Sequence, residues 1–237
     1  MLMHAACKIR ALSAITIAML LAGCATQTHN SATSPNIRAV AGHPAQGEAY
    51  EVVGSESLLT VRVYRGGTLA RAGHNHIVAS HDLAGTVYVP KDISHASFEL
   101  EVPVAELTVD EAELRAAAGA DFAADVPDSA KEGTRRNMLG AEVLDAEHYP
   151  QISLRSENLD IDGGLLRAQF EVHIRDQVRT FTAAVSYTLN SNELLAEGAL
   201  LLKQSDLGLA PFTALLGALQ VQDEMQLQFR IVARIQK

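Results

Sequence analysis

The chain has 237 residues, with 28 Asp and Glu against 19 Lys and Arg, and a formal charge of −9. An acidic chain without a basic cluster cannot neutralise a run of phosphates, which excludes nucleic acid as a partner. Both cysteines lie at the N-terminal end, at positions 7 and 24, so the remainder has no thiol for disulfides, nucleophilic catalysis or metal binding.

Residues 1–23 place Lys8 and Arg10 before the apolar run ALSAITIAMLL. That run is shorter than the roughly 20 residues a permanent bilayer span needs, and it reads as a secretory signal. Leu21-Ala22-Gly23-Cys24 resembles the lipobox of bacterial lipoproteins, in which the cysteine becomes the acylated first residue; the alternative is an ordinary signal that contains a cysteine. Ala25 in the next position points to the periplasmic face of an outer membrane. Removal of Lys8 and Arg10 with the signal moves the charge from −9 to −11. The rest of the chain is then expected to be repelled by anionic lipid, leaving acylated Cys24 to hold it at the membrane. Residues 25–47, rich in Ser, Thr, Asn, Pro and Gly, read as a flexible tether, and residues 48–237 as one domain of ordinary size.

Within that domain the dominant period is two. Strands are expected at 57–65, 83–89 and over SFELEV, where Phe98, Leu100 and Val102 alternate with polar residues. Two short helical pieces follow: EAELRAAAG after Asp110, ending at Gly119, and a helix within 133–150 that Thr134 caps and that ends near Gly140. The intervening DFAADVPDSAKE reads as polar and loose. Asp162-Gly163-Gly164 joins a strand at 151–160 to one at 165–174, and Asn190-Ser191-Asn192 joins 178–189 to 194–203. MQLQFRIVARI supplies a last strand, in which Leu227 and Phe229 share one face. About eight antiparallel strands without crossover helices favour a closed barrel with short helices at its mouth. Such a barrel is either filled by its own side chains or just wide enough for one small ligand. With no Trp and 5% aromatic residues, the inward positions are expected to be mostly aliphatic, suiting an acyl or isoprenoid chain.

Three constellations invite chemistry. His74, His76 and His81, with Asp82 adjoining, are either polar structural groups near the mouth or ligands for a metal. Arg135 and Arg136 fall at the expected start of the second helix, where the macrodipole disfavours cations. They therefore call for an anion, supplied by Glu142, Asp145 or Asp206, or by a ligand's headgroup. The apolar stretch SDLGLAPFTALLGALQVQDE at 205–224 reads as pocket wall or packed connector rather than a membrane insertion, being short and broken by Pro211 and Gly217. No GxSxG elbow, HExxH or phosphate loop is present, and no enzymatic activity is expected.

Taken together, SLLTVRVYRGG, RAGHNHIVASHDLAGTVYV, GTRRNMLGAEVLDAEHYPQISLRS and KQSDLGL followed by LQVQDEMQLQFRIVA resemble, in order, the YceI-like family over about residues 50–235. The resemblance implies an eight-stranded antiparallel, lipocalin-like barrel that binds a polyisoprenoid, quinone, fatty acid or fatty amide without any covalent cofactor. Its apolar tail would lie against residues such as Phe98, Leu100, Phe170, Val172, Leu227 and Phe229. Its head would meet His74, His76 and Arg135. The role would be storage, transport or a stress response in the envelope, and the two-sided apolar strand LLAEGALLLK would permit a homodimer. Two other readings stay open: a metal- or haem-handling protein using His74, His76 and His81, and a structural envelope protein with a filled barrel.

Overall fold

The computed structural model describes residues 47–162 and 165–236. The signal segment, Cys24 and the tether up to Gln46 lie outside them, as do Gly163 and Gly164. No helix among the described residues is long and apolar enough to cross a membrane.

Twelve strands make one sheet. They are β1 (Glu48–Val52), β2 (Leu58–Gly66), β3 (His76–Ser80), β4 (Ala84–Val89), β5 (Ser97–Pro103), β6 (Thr108–Val109), β7 (Gln151–Asp162), β8 (Leu165–Ile174), β9 (Gln177–Leu189), β10 (Glu193–Lys203), β11 (Thr213–Ala214) and β12 (Leu219–Arg234). Three pairs of these are halves of one bent strand. β1 and β2 pair with β4 and β3 respectively, and β5 and β6 pair with β4 and β3 in turn. β1–β2, β3–β4 and β5–β6 thus each count once. With β7, β8, β9, β10 and β12 they form a closed eight-stranded antiparallel meander, the architecture expected from the alternation. The seam is made by β12, whose body pairs with β2 and whose last residues pair with β1.

The bends hold by local polar contacts. Ser57, buried where β1 turns into β2, donates its hydroxyl to Val53 O and accepts from the backbone N–H of Val232. Arg234 ties the same corner to β10. Its guanidinium donates to both carboxylate oxygens of Glu56 at 2.6 Å and to Glu193 at 2.9 Å. Gly85 has φ +134°, and a Cβ there would stand 2.1 Å from Glu99 O on β5. Replacing Gly85 with alanine is therefore expected to destabilise the barrel by about 2 kcal/mol or more, measured by denaturant unfolding; an unchanged midpoint would contradict the close approach of β4 and β5.

Because the chain runs up and down, its connections alternate between two ends. One end receives the tight turn at Asn190–Asn192, where Asn190 Oδ1 accepts from the N–H groups of Asn192 and Glu193. All the longer connections but one, the link between β4 and β5, go to the other end: residues 67–75, 110–150 and 204–218. The 110–150 connection carries helix α1 (Ala112–Ala117) and helix α2 (Asp128–Leu139).

The second helix corrects the sequence reading. It begins at Asp128, where the Pro127 carbonyl accepts the first bonds from Ala130 and Lys131; a proline loses nothing at a helix start, where its N–H would have no intrahelical partner. Thr134 consequently lies mid-helix and caps nothing. Arg135 and Arg136 sit in the second half, where the dipole favours cations, so no compensating anion is required. Nor is the segment before the helix uniformly loose, since Phe122 and Val126 are buried.

Candidate functional site

Inward residues of the strands enclose a cavity of about 600 Å³. The six apolar residues singled out in the sequence all line it: Phe98, Leu100, Phe170, Val172, Leu227 and Phe229. Leu100, Phe170 and Val172 are buried, the other three half-buried. Phe98, Phe170 and Phe181 form an aromatic row, with successive ring centres 6.1 and 6.4 Å apart. Phe98 reaches this row across β7, whose register slips between Ser156 and Asn158; there the Ser156 hydroxyl accepts the Phe98 N–H. Phe229 lies over Gly198 of β10, so close that a Cβ on Gly198 would meet the ring at 2.5 Å.

Most polar groups on the wall gather at the helix-bearing end (Arg65, His74, His76, Thr134, Asn137, Gln204 and Gln220), with Tyr187 of β9 toward the other end. His76 is the most firmly placed. Its Nδ1 is 2.6 Å from Asp110 Oδ2, and its Nε2 is 3.3 Å from the Thr134 hydroxyl on α2. Asp110 has no exposed side-chain surface. It accepts from the Ile77 N–H at 3.0 Å and from Arg115 Nη1 at 2.7 Å. Arg115, also buried, spends its three other Nη donors on the carbonyls of Asn75, Phe122 and Ala124, each at 2.8 Å. Burial alone would push the Asp110 carboxyl up; the hydrogen bonds from His76, Ile77 and Arg115, with the charge on His76, outweigh it and hold the group below the usual carboxylate range. The ionised carboxylate accepts the Nδ1 hydrogen, which fixes the ring and turns Nε2 toward Thr134 and the cavity. His74 packs edge-on against His76, with ring centres 6.1 Å apart.

Two of the sequence candidates stand elsewhere. Arg135 does not line the cavity: its guanidinium donates to the carbonyls of Leu107 and Ala105 and so fastens α2 to the bend between β5 and β6. His81 is turned away from the other two histidines, with Nε2 3.1 Å from both carboxylate oxygens of Glu111. Among the described residues no group of three or more His, Cys, Asp or Glu is placed to hold a metal ion. Asp110, Arg115 and Thr134 are the contributors that sequence reasoning missed; Asp110 was visible there only as an acid ahead of a helix.

The apolar 205–224 stretch divides in two. Leu207 and Leu209 are buried and, with Phe212, line the cavity, whereas Leu215 and Leu216 are turned out into solvent.

The match to known proteins agrees with this architecture. Residues 50–233 match the model of the YceI-like domain. The chain belongs to the YceI-like family. Among solved structures it is similar to BcnA of Burkholderia cenocepacia, at 18% identity and a TM-score of 0.57, covering 77% of this chain and 99% of that one. It is also similar to the YceI protein of Campylobacter jejuni, at 10% identity and a TM-score of 0.48, covering 66% and 82%. No curated protein matches.

Proposed function

We propose that this YceI-like barrel carries one long, apolar molecule of polyisoprenoid, quinone or fatty-amide type, non-covalently, at the periplasmic face of an outer membrane to which acylated Cys24 tethers it. The observation that carries this reading is the cavity itself: about 600 Å³, within the range of ligand sites, walled by aliphatic and aromatic side chains, with most of its polar groups gathered at the helix-bearing end. A tail would lie along the Phe98–Phe170–Phe181 row. A carbonyl, amide or hydroxyl head would meet His76, His74 and Thr134. Energetics support an occupant. Apolar walls that face an apolar occupant rather than water gain roughly 25 cal/mol per Å² of surface removed from water. Water finds few partners among apolar walls. The protein stores or transfers its cargo and performs no reaction on it.

The test is native mass spectrometry of residues 25–237 exported to a periplasm and purified without detergent. A mass excess the size of one lipid, lost on denaturation, is expected. Replacing Phe170 with aspartate sets a carboxylate against the tail at a cost of several kcal/mol and is expected to yield the bare polypeptide mass in the fraction that circular dichroism shows to be folded. Folded wild-type protein of bare mass, or a folded Phe170→Asp variant with full lipid content, would sink the assignment.

A further inference from the structure

Residues 67–75 and 204–218 meet at the helix-bearing end of the barrel, where Leu69 N–H donates to Ala218 O at 2.8 Å. On these two loops three leucines face solvent: Leu69 at 46% exposure, Leu215 at 66% and Leu216 completely. Single exposed leucines are ordinary; three on adjoining loops are not. Leu215 and Leu216 have φ of 51° and 56°, a left-handed conformation that side-chain-bearing residues adopt at a cost. That conformation turns both side chains outward from a segment whose earlier members, Leu207, Leu209 and Phe212, point into the cavity.

Charge singles out the same place. The chain has 28 acidic residues, yet none falls in 65–81 or 207–222, which contain Arg65, Arg71 and three histidines. Arg65 and Arg71 are exposed. Acids crowd the neighbouring 110–147 connection instead, so this end has one apolar, weakly basic half and one acidic half. Net charge alone suggests repulsion by anionic lipid; its distribution exempts one patch, at the rim of the cavity.

We propose that this patch docks on an anionic lipid bilayer. Leu69, Leu215 and Leu216 enter the headgroup–acyl boundary, Arg65 and Arg71 face lipid phosphates, and the polar end of the cavity is held against the membrane. The acidic half of the same end tilts away. Docking is independent of what the barrel holds. It would nevertheless give a chain-like cargo a route between bilayer and lumen that avoids water.

Residues 25–237 keep every strand of the closed barrel and lack the acyl cysteine, so their membrane affinity reports the patch alone. Flotation with vesicles of phosphatidylethanolamine containing a minority of phosphatidylglycerol is expected to carry this protein along, and vesicles of phosphatidylcholine to carry less. Leu215→Ser and Leu216→Ser are each expected to weaken binding by about tenfold, the equivalent of one leucine side chain leaving an apolar medium. Arg71→Glu is expected to weaken it on the anionic vesicles. Leu201→Ser removes an equally exposed leucine from the barrel wall and is expected to change nothing. Thermal unfolding of each variant shows whether it is folded. Wild-type protein that stays behind the vesicles would overturn the proposal. So would a folded Leu215→Ser, Leu216→Ser double variant that floats as the wild type does, or a patch that mediates only concentration-dependent self-association in sedimentation. Lipid content by native mass spectrometry is read separately, so failure of docking and failure of the cargo assignment are told apart.

Discussion

Replacing Ala168 and Ala183 together with phenylalanine is expected to empty the barrel of lipid while leaving it folded. The two alanines sit opposite each other on β8 and β9, each 3% exposed, and both face the cavity. Two added rings would project into the space a tail needs. The sign of the stability change separates a ligand site from a solid core. In a barrel already packed by its own side chains, each enlargement would force its neighbours off their rotamers and cost about 1–3 kcal/mol. In a barrel built around a cavity the rings take up apolar volume instead, at about 24 cal/mol per Å³ recovered, so the lipid-free variant should unfold at higher denaturant than delipidated wild type. Native mass spectrometry and urea unfolding read the two effects on one preparation. Full lipid content in the folded variant would remove this cavity as the binding site. A strongly destabilised variant would point to the filled barrel.

What could be read from the sequence was what depends on near neighbours. Period-two alternation places Phe98 with Leu100, and Phe170 with Val172, on the inner face, because successive residues of a strand point to opposite sides whatever the partner strand. Asn190-Ser191-Asn192 marks its turn because the asparagine side chain bonds the backbone two and three residues on. Elements made by distant partners were not legible. β6 is two residues long and exists because β3 lies beside it; nothing in Thr108-Val109 announces a strand. The bend at Gly54–Glu56 splits an edge that serves two stretches of β12. His76, Asp110 and Arg115 meet across a gap of more than thirty residues, so the histidine cluster looked like a set of three, whereas the fold gives His76 a carboxylate, His81 a different one, and leaves His74 against an imidazole. Arg135 was misjudged because the helix start was placed too late; once Pro127 and Asp128 open the helix, its guanidinium is a fastening for α2 and not a rim charge. The outward leucines were hidden for another reason: hydropathy shows an apolar run, and only the left-handed backbone at Leu215 and Leu216 decides which members leave the wall.

The second large effect belongs to Asp110. Asp110→Ala is expected to lower stability by about 3–5 kcal/mol, roughly 10 °C in Tm for a domain of this size. The substitution leaves the buried Arg115 cation facing only carbonyls and frees the His76 ring that lines the cavity. Two elements loosen together, because Arg115 joins α1 to the loop at Phe122–Ala124 while His76 joins β3 to Thr134 of α2. Asp110→Asn preserves the shape and removes the charge, which makes the pH dependence specific. The folded carboxyl titrates below its unfolded value of about 4. The unfolded chain therefore takes up the proton first as pH falls, and the stabilisation is fully present above about pH 4 and lost on acidifying through the folded pKa. Unfolding free energies of wild type and Asp110→Asn should consequently differ most at neutral pH and converge in acid. A difference that stays constant from neutral pH into strong acid would mean that shape and hydrogen bonding, not the carboxylate charge, hold this end of the barrel together. Lipid content measured on the same pair at neutral pH then shows whether orienting the His76 ring matters to the cargo's polar head as well as to the fold.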